Sequence, residues 1–348
     1  VGLATALLLS LAASPTSAAV DFQGQARLWL GPGFDSNARR DYLSPGAVAA
    51  PDGFLYALGQ LAGDLSLGHR VRLRGAYEVG GRLFFTLPTE DTVLQSARLT
   101  AEVQLTDWLR AGVAGRARDR RGAERGYTDL QGGLTLDFTP DAHLELGVEV
   151  AARRFLYAPR FSASFFGPEA TLTARYRFDR HHAVSAWGLY APRTYNATAA
   201  AAPGLPPPPS SPTRTDAVLG AGASYAYRGP FQVSVGYSYL DDASNSFGET
   251  LRRHRLEVGG GVALPWELTV LAQVALQLTL LPDGVFLSPD LTVLEDGESS
   301  SAVTVKLVRA LGAHVELDVR YAFYFDQLPT NGFVYQRHVV TLGVALAY

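Results

Sequence analysis

The seven histidines are His69, His143, His181, His182, His254, His314 and His338, and they are the residues best suited to moving protons near neutral pH. Joined to a serine and a carboxylate, a histidine supports hydrolysis as a general base. The spacing argues against that use here. His69, His143, His181, His182 and His314 each fall in or beside a short Gly-, Asp- or Pro-containing break between apolar runs. Such breaks are hydrated turns. His254 and His338 lie elsewhere, with no serine beside them in a hydrolase motif. There is no cysteine, so thiolate catalysis, disulfides and Cys-ligated metals are excluded. Asp241-Asp242 and Glu295-Asp296-Gly297-Glu298 offer carboxylates for calcium, but neither has the spacing of a calcium loop. The residues point to a non-enzyme with no metal and no cofactor.

The remaining chemistry is charge. Lys306 is the single lysine, and arginine supplies the rest of the positive charge. The formal net charge of −3 gives no support for a nucleic-acid partner. The arginines and carboxylates recur at even spacings. Arg70, Arg72 and Arg74 alternate with Val71 and Leu73, and Arg98, Glu102, Glu316, Asp318 and Arg320 sit in similar runs. Successive side chains of a β-strand point to opposite faces, so even spacing puts these groups on one face. Arg27, Glu78, Arg110, Arg116, Glu149, Arg175, Arg255 and Glu257 follow the same parity in their own segments. All of these are expected to line an aqueous interior of both signs, with arginine dominant in the first half.

What must position them is a set of strands. From Asp21 to Tyr348 the pattern has period two, as in His143-Leu144-Glu145-Leu146-Gly147-Val148-Glu149-Val150. The polar faces are too charged for a sandwich core, and the apolar faces are too continuous to meet water. Strands in soluble sheets average about five or six residues. These run to about nine to fourteen, the length that crosses a bilayer with apolar side chains toward lipid. In lipid every backbone polar group must be paired, so the sheet has to close. Breaks near residues 67–69, 106–108, 140–142, 179–181, 229–230, 265–266 and 311–313 are short, and the links between them are long. The reading is all-β: one transmembrane antiparallel up-and-down barrel of about sixteen strands (about fourteen to eighteen), with short turns on the periplasmic side and longer extracellular loops. Alternation is weakest at 182–190 and 291–305. Pro203 to Pro212 is too rich in proline for a strand and is expected to be a stiff surface loop.

Residues 1–12 are apolar and small, and Ser14 to Ala19 suit signal-peptidase cleavage. Residues 1–19 are therefore expected to be a signal peptide and 20–348 the barrel. At the other end Val340, Leu342, Val344, Leu346 and Tyr348 share one face and finish on an aromatic ring. This resembles the C-terminal signal by which the barrel-assembly machinery recognises outer-membrane proteins. The resemblance implies that machinery and outer-membrane lipids as partners, in a Gram-negative bacterium. Trp108 and Trp266 sit beside short turns, where an interfacial girdle belongs.

Gly31-Pro32-Gly33-Phe34-Asp35-Ser36-Asn37 resembles the opening after the first strand in several secretion and export barrels, including exopolysaccharide-export porins. Asp-Ser-Asn is also an ordinary loop-capping cluster. The resemblance implies export of a polysaccharide with a separate periplasmic partner. A general or anion-preferring diffusion porin, and a closed barrel acting as a structural element, adhesin or enzyme, are the alternatives.

Overall fold

The computed structural model describes residues 20–44, 46–122, 126–158, 160–204, 210, 212–284, 301–327 and 333–348. The expected signal peptide, most of the proline run and Glu295–Glu298 lie outside them.

The first eight strands are β1 (Val20–Asp35), β2 (Asp52–Leu67), β3 (Val71–Phe84), β4 (Thr92–Thr106), β5 (Leu109–Arg121), β6 (Tyr127–Phe138), β7 (Leu144–Tyr157) and β8 (Phe165–Arg177). The second eight are β9 (His182–Thr198), β10 (Thr213–Arg228), β11 (Phe231–Ser244), β12 (Leu251–Leu264), β13 (Leu268–Leu280), β14 (Ser301–Ala310), β15 (Val315–Gln327) and β16 (Val334–Ala347). Each pairs with the next, and β16 pairs with β1 to close the barrel. Among the described residues the helical content is two single turns, Pro88–Glu90 and Phe161–Ala163.

The strands run further than the sequence pattern indicated. The first long loop was expected from Gly31, but β1 continues to Asp35, and β9 continues to Thr198 with 17 residues. Residues at these strand ends keep pairing because their inward side chains are packed, with Asp35, Ala191, Arg193 and Tyr195 all buried, so the backbone there must find partners in the sheet. The weakly alternating segment at 182–190 is strand throughout.

Alternation sorts the side chains as the period requires. Leu99, Leu134, Val150 and Leu172 face outward and are 54–65% exposed in the absence of lipid. Neighbouring positions on the same strands face the interior and carry the charges.

Closure has a local irregularity. The β1–β16 pairing is interrupted between Leu30↔Val344 and Gly33↔Thr341, where Pro32 has no N–H to donate, and resumes in the same register. Gly31 passes so close to the Leu342 carbonyl that no side chain fits there. On the inner side the Tyr56 hydroxyl lies over Gly343, so a ring from β2 covers the gap.

Candidate functional site: the charged lumen

Two folded-in segments narrow the extracellular mouth. The link after β1 turns inward and places Ala38 against Phe54, Phe84, Ala322 and Val339, all inner-face residues. Asp35-Ser36-Asn37 ties it down. Asp35 accepts from the Nε/Nη2 edge of the Arg337 guanidinium, with Nε 2.9 Å from each carboxylate oxygen. Ser36 exchanges hydrogen bonds with the His338 backbone, and Asn37 donates to the Asp41 and Gln336 carbonyls. The motif is therefore a loop anchor in this chain.

On another arc of the mouth, Tyr127, Phe155, Phe165 and Tyr195 form a row of rings with centroids 5.3–5.4 Å apart. The short link before β8 covers it through Ala163. Arg193 lies 4.7 Å over Phe165, and Arg214 lies 4.0 Å over Tyr195. Arg214 also bonds Asp216 and Glu249. None of these residues was singled out from the sequence. The signal was available: each shares the inward parity of its strand at the strand's outer end.

Below the mouth the lumen holds two cavities. One cavity of about 790 Å³ lies against the inner faces of β1 to β8, with Arg74, Arg98, Glu102, Asp137 and Glu149 among its walls. A second, of about 720 Å³, lies against β10 to β15 and is lined by Ser224, Gln232, Gly259, Gln273, Thr304 and Arg320.

The arginines and acids singled out in the sequence divide into paired and unpaired groups. Arg27 bonds Glu316, Arg72 bonds Asp64, and Arg74 bonds Glu102, which Arg110 also approaches at 3.9 Å. Arg116 lies 3.7 Å from Asp129, which Arg153 holds at 2.9 Å. Arg255 bonds Glu257 at 2.6 Å, Asp318 is 3.3 Å from Lys306, and Gln60 donates to Glu78 at 2.5 Å. Arg70 lies in the turn between β2 and β3 rather than on a strand. The Arg70/Arg72/Arg74/Arg98 group is thus not one free patch: two members are neutralised and one is at the rim. Arg98, Arg175 and Arg320 have no ion pair among the described residues, and neither do Asp137 and Glu149. Arg118 and Arg228 join them, also on the inner face.

Val340, Leu342, Val344 and Leu346 are outward and exposed, and Tyr348 is 93% exposed at the periplasmic end. Trp108 and Trp266 are also exposed there. The other two tryptophans face inward. Trp29 is buried with Arg27 4.5 Å over its ring, and Trp187 covers Gly220 and Gly222.

The histidines act as braces. His143, His181 and His314 each bond through Nδ1 to the carbonyl of Arg177, Arg228 or Ala347, on the next strand, at 2.5–2.9 Å. Asp141 and Asp179 accept backbone N–H groups from the two residues that open the following strand, which holds both carboxyls below the usual range. His254 and His338 point away from the lumen and bond Tyr237 and Tyr321. Asp241 faces outward to Arg252, and Asp242 faces inward to Arg193. Among the described residues no group of three potential ligands could hold a metal.

No family model matches the chain, and no curated protein matches its sequence. Solved structures resemble it in fold. The outer membrane channel DcaP of Acinetobacter baumannii overlays 96% of this chain and 99% of its own, with a TM-score of 0.56 at 14% identity. The fold is that of an outer-membrane barrel. Two more distant overlays belong to the same class. An anion-selective porin from Comamonas acidovorans covers 95% of this chain and 100% of its own, at TM-score 0.47 and 12% identity. A bacterial polysaccharide outer membrane secretin covers 93% and 98%, at TM-score 0.47 and 8% identity. The outer-membrane barrel described here is pore-like in its architecture: a polar interior, an apolar outer band and a constricted mouth.

Proposed function

We propose that this barrel is a pore for hydrophilic anions, with an acidic exopolysaccharide as its most specific cargo. The observation that carries the reading is the imbalance of unpaired charge. Arg98, Arg118, Arg175, Arg228 and Arg320 stand around the lumen without a carboxylate partner among the described residues, against Glu78, Asp137 and Glu149 without a cation. Paired groups largely cancel, so the unpaired ones set the field. A low-dielectric wall focuses that field on solutes in the lumen. The second cavity sets hydroxyl and amide groups of Ser224, Gln232, Gln273 and Thr304 beside Arg228 and Arg320, a lining that supports an acidic sugar chain through both hydrogen bonds and charge. A separate periplasmic partner would deliver the polymer.

The test is conduction in a planar bilayer. Wild type conducts, and its reversal potential under a salt gradient indicates anion preference. Changing Arg98, Arg175 and Arg320 together to Gln weakens that preference, whereas Arg72→Gln with Asp64→Asn, which removes a neutral pair, moves it little. An acidic oligosaccharide blocks the current and a neutral one of equal size blocks it less. A barrel that is electrically silent or cation-selective overturns the reading. Anion selectivity with equal block by both sugars leaves a diffusion porin and removes the polysaccharide.

A further inference from the structure

The outward faces of β4 to β8 carry a feature that a lipid-facing wall has no structural need for. Along β7 the outward positions Leu144, Leu146, Val148, Val150 and Ala152 are apolar, and Arg154 follows, exposed. At ~3.3 Å per residue and a tilt of about 40°, that run climbs about 25 Å, the height of the apolar band of such barrels. Arg154 therefore stands at the upper edge of the band, where outer-leaflet headgroups lie. Its cross-strand neighbours are Leu130 and Phe166, neither of which carries a carboxylate.

Beneath Arg154 the wall is hollowed. Gly115, Ala117, Gly132 and Ala152 leave a trough of about 520 Å³ between the larger side chains of Leu99 and Phe166. A Cβ on Gly132 would meet nothing within 4 Å, so the hollow is open space and not a close approach of backbones.

We propose that this trough binds one anionic acyl lipid of the outer leaflet, with a headgroup phosphate on the Arg154 guanidinium and an acyl chain along the small residues. A guanidinium without a partner at the edge of hydrocarbon favours a phosphate, which it meets through paired N–H donors. A second copy of the chain fits less well. On the described strands the outward carboxylates are Asp119 and Asp241, and these are already bonded to Arg121 and Arg252. A neighbouring copy would thus bring Arg154 no free anion.

Native mass spectrometry of the purified full chain tests this, using a bis-phosphorylated, acylated glucosamine-disaccharide lipid as probe. Wild type retains one such lipid, and the dephosphorylated form binds about tenfold more weakly, a difference of about 1.4 kcal/mol. Arg154→Gln lowers affinity by a similar factor, Arg154→Lys restores only part of it because an ammonium lacks the paired donors, and Gly132→Leu fills the trough and also weakens binding. Unchanged heat-modifiable migration of each variant shows that the barrel is folded. Equal binding by wild type and Arg154→Gln, or indifference to the phosphates, overturns the proposal. So does an oligomer, seen by light scattering, that dissociates on Arg154→Gln without any dependence on lipid.

Discussion

Asp35 at the end of β1 and Arg337 near the start of β16 form a buried two-point ion pair across the seam that closes the barrel. Their side chains are 0% and 7% exposed, and 302 residues of chain separate them. The pair fastens both the seam and the link that narrows the mouth.

Removing one partner leaves an uncompensated buried charge, which costs about 3–5 kcal/mol. Asp35→Asn lowers unfolding stability in urea by roughly that amount. The double change Asp35→Leu with Arg337→Met costs much less, because no orphan charge remains. Equal losses for the single and double variants would show that packing, not charge, holds this corner.

Leu99 and Val148 sit near the middle of the outward runs of β4 and β7, and Thr100 faces the lumen. Leu99→Arg or Val148→Arg destabilises by roughly 2–4 kcal/mol in a bilayer. Thr100→Arg is much milder, since its guanidinium stays in water. Unfolding in lipid vesicles measures all three, and similar losses at Leu99 and Thr100 would contradict the assignment of faces.

Tyr348 exchanges backbone hydrogen bonds with Ala26 and stacks on His314. The ring itself stays exposed, so its contribution is open to a receptor. Deleting Tyr348, or Tyr348→Asp, sharply reduces the heat-modifiable, membrane-inserted form in cells. Normal insertion of both variants would remove the C-terminal residue from the assembly step.

The turn carboxylates give a pH dependence with a definite sign. Asp179 is held below its ordinary value first by the His181 backbone N–H, and Asp141 first by that of Leu144. A depressed folded value adds stability above the unfolded value of about 3.9 that is lost as pH falls through the folded value. Asp179→Asn with Asp141→Asn therefore shallows the acid limb of a stability–pH curve and leaves the curve above pH 6 nearly parallel to wild type. A steeper acid limb in the variant would reverse the argument.

Strand count, closure and facing were legible because period two is a local signal and lipid enforces it on every strand. Arg27 and Leu28 need only their neighbours to be assigned to opposite faces. The ends of strands were not legible. Gly31-Pro32-Gly33 has turn composition, yet it remains in β1 because the Tyr56 ring and Gly343 accommodate it from other strands. Charge pairing was hidden for the same reason. Arg72 and Arg98 look alike in sequence, but Asp64 stands one strand away from the first and no carboxylate reaches the second. The braces made by His143, His181 and His314 depend on a carbonyl 33–47 residues distant, which spacing within a turn does not reveal.

The unbroken alternation along each strand has a consequence for how such a gene can change. Inserting one codon within β7 would turn Arg153 and Glu149 toward hydrocarbon and Val148 and Val150 toward water, reversing everything beyond the insertion. Insertions and deletions inside strands thus disrupt the fold, while single-letter changes that keep the parity are tolerated. Length variation among descendants of this sequence belongs at the extracellular rim, and that is also the surface that phage and antibodies meet.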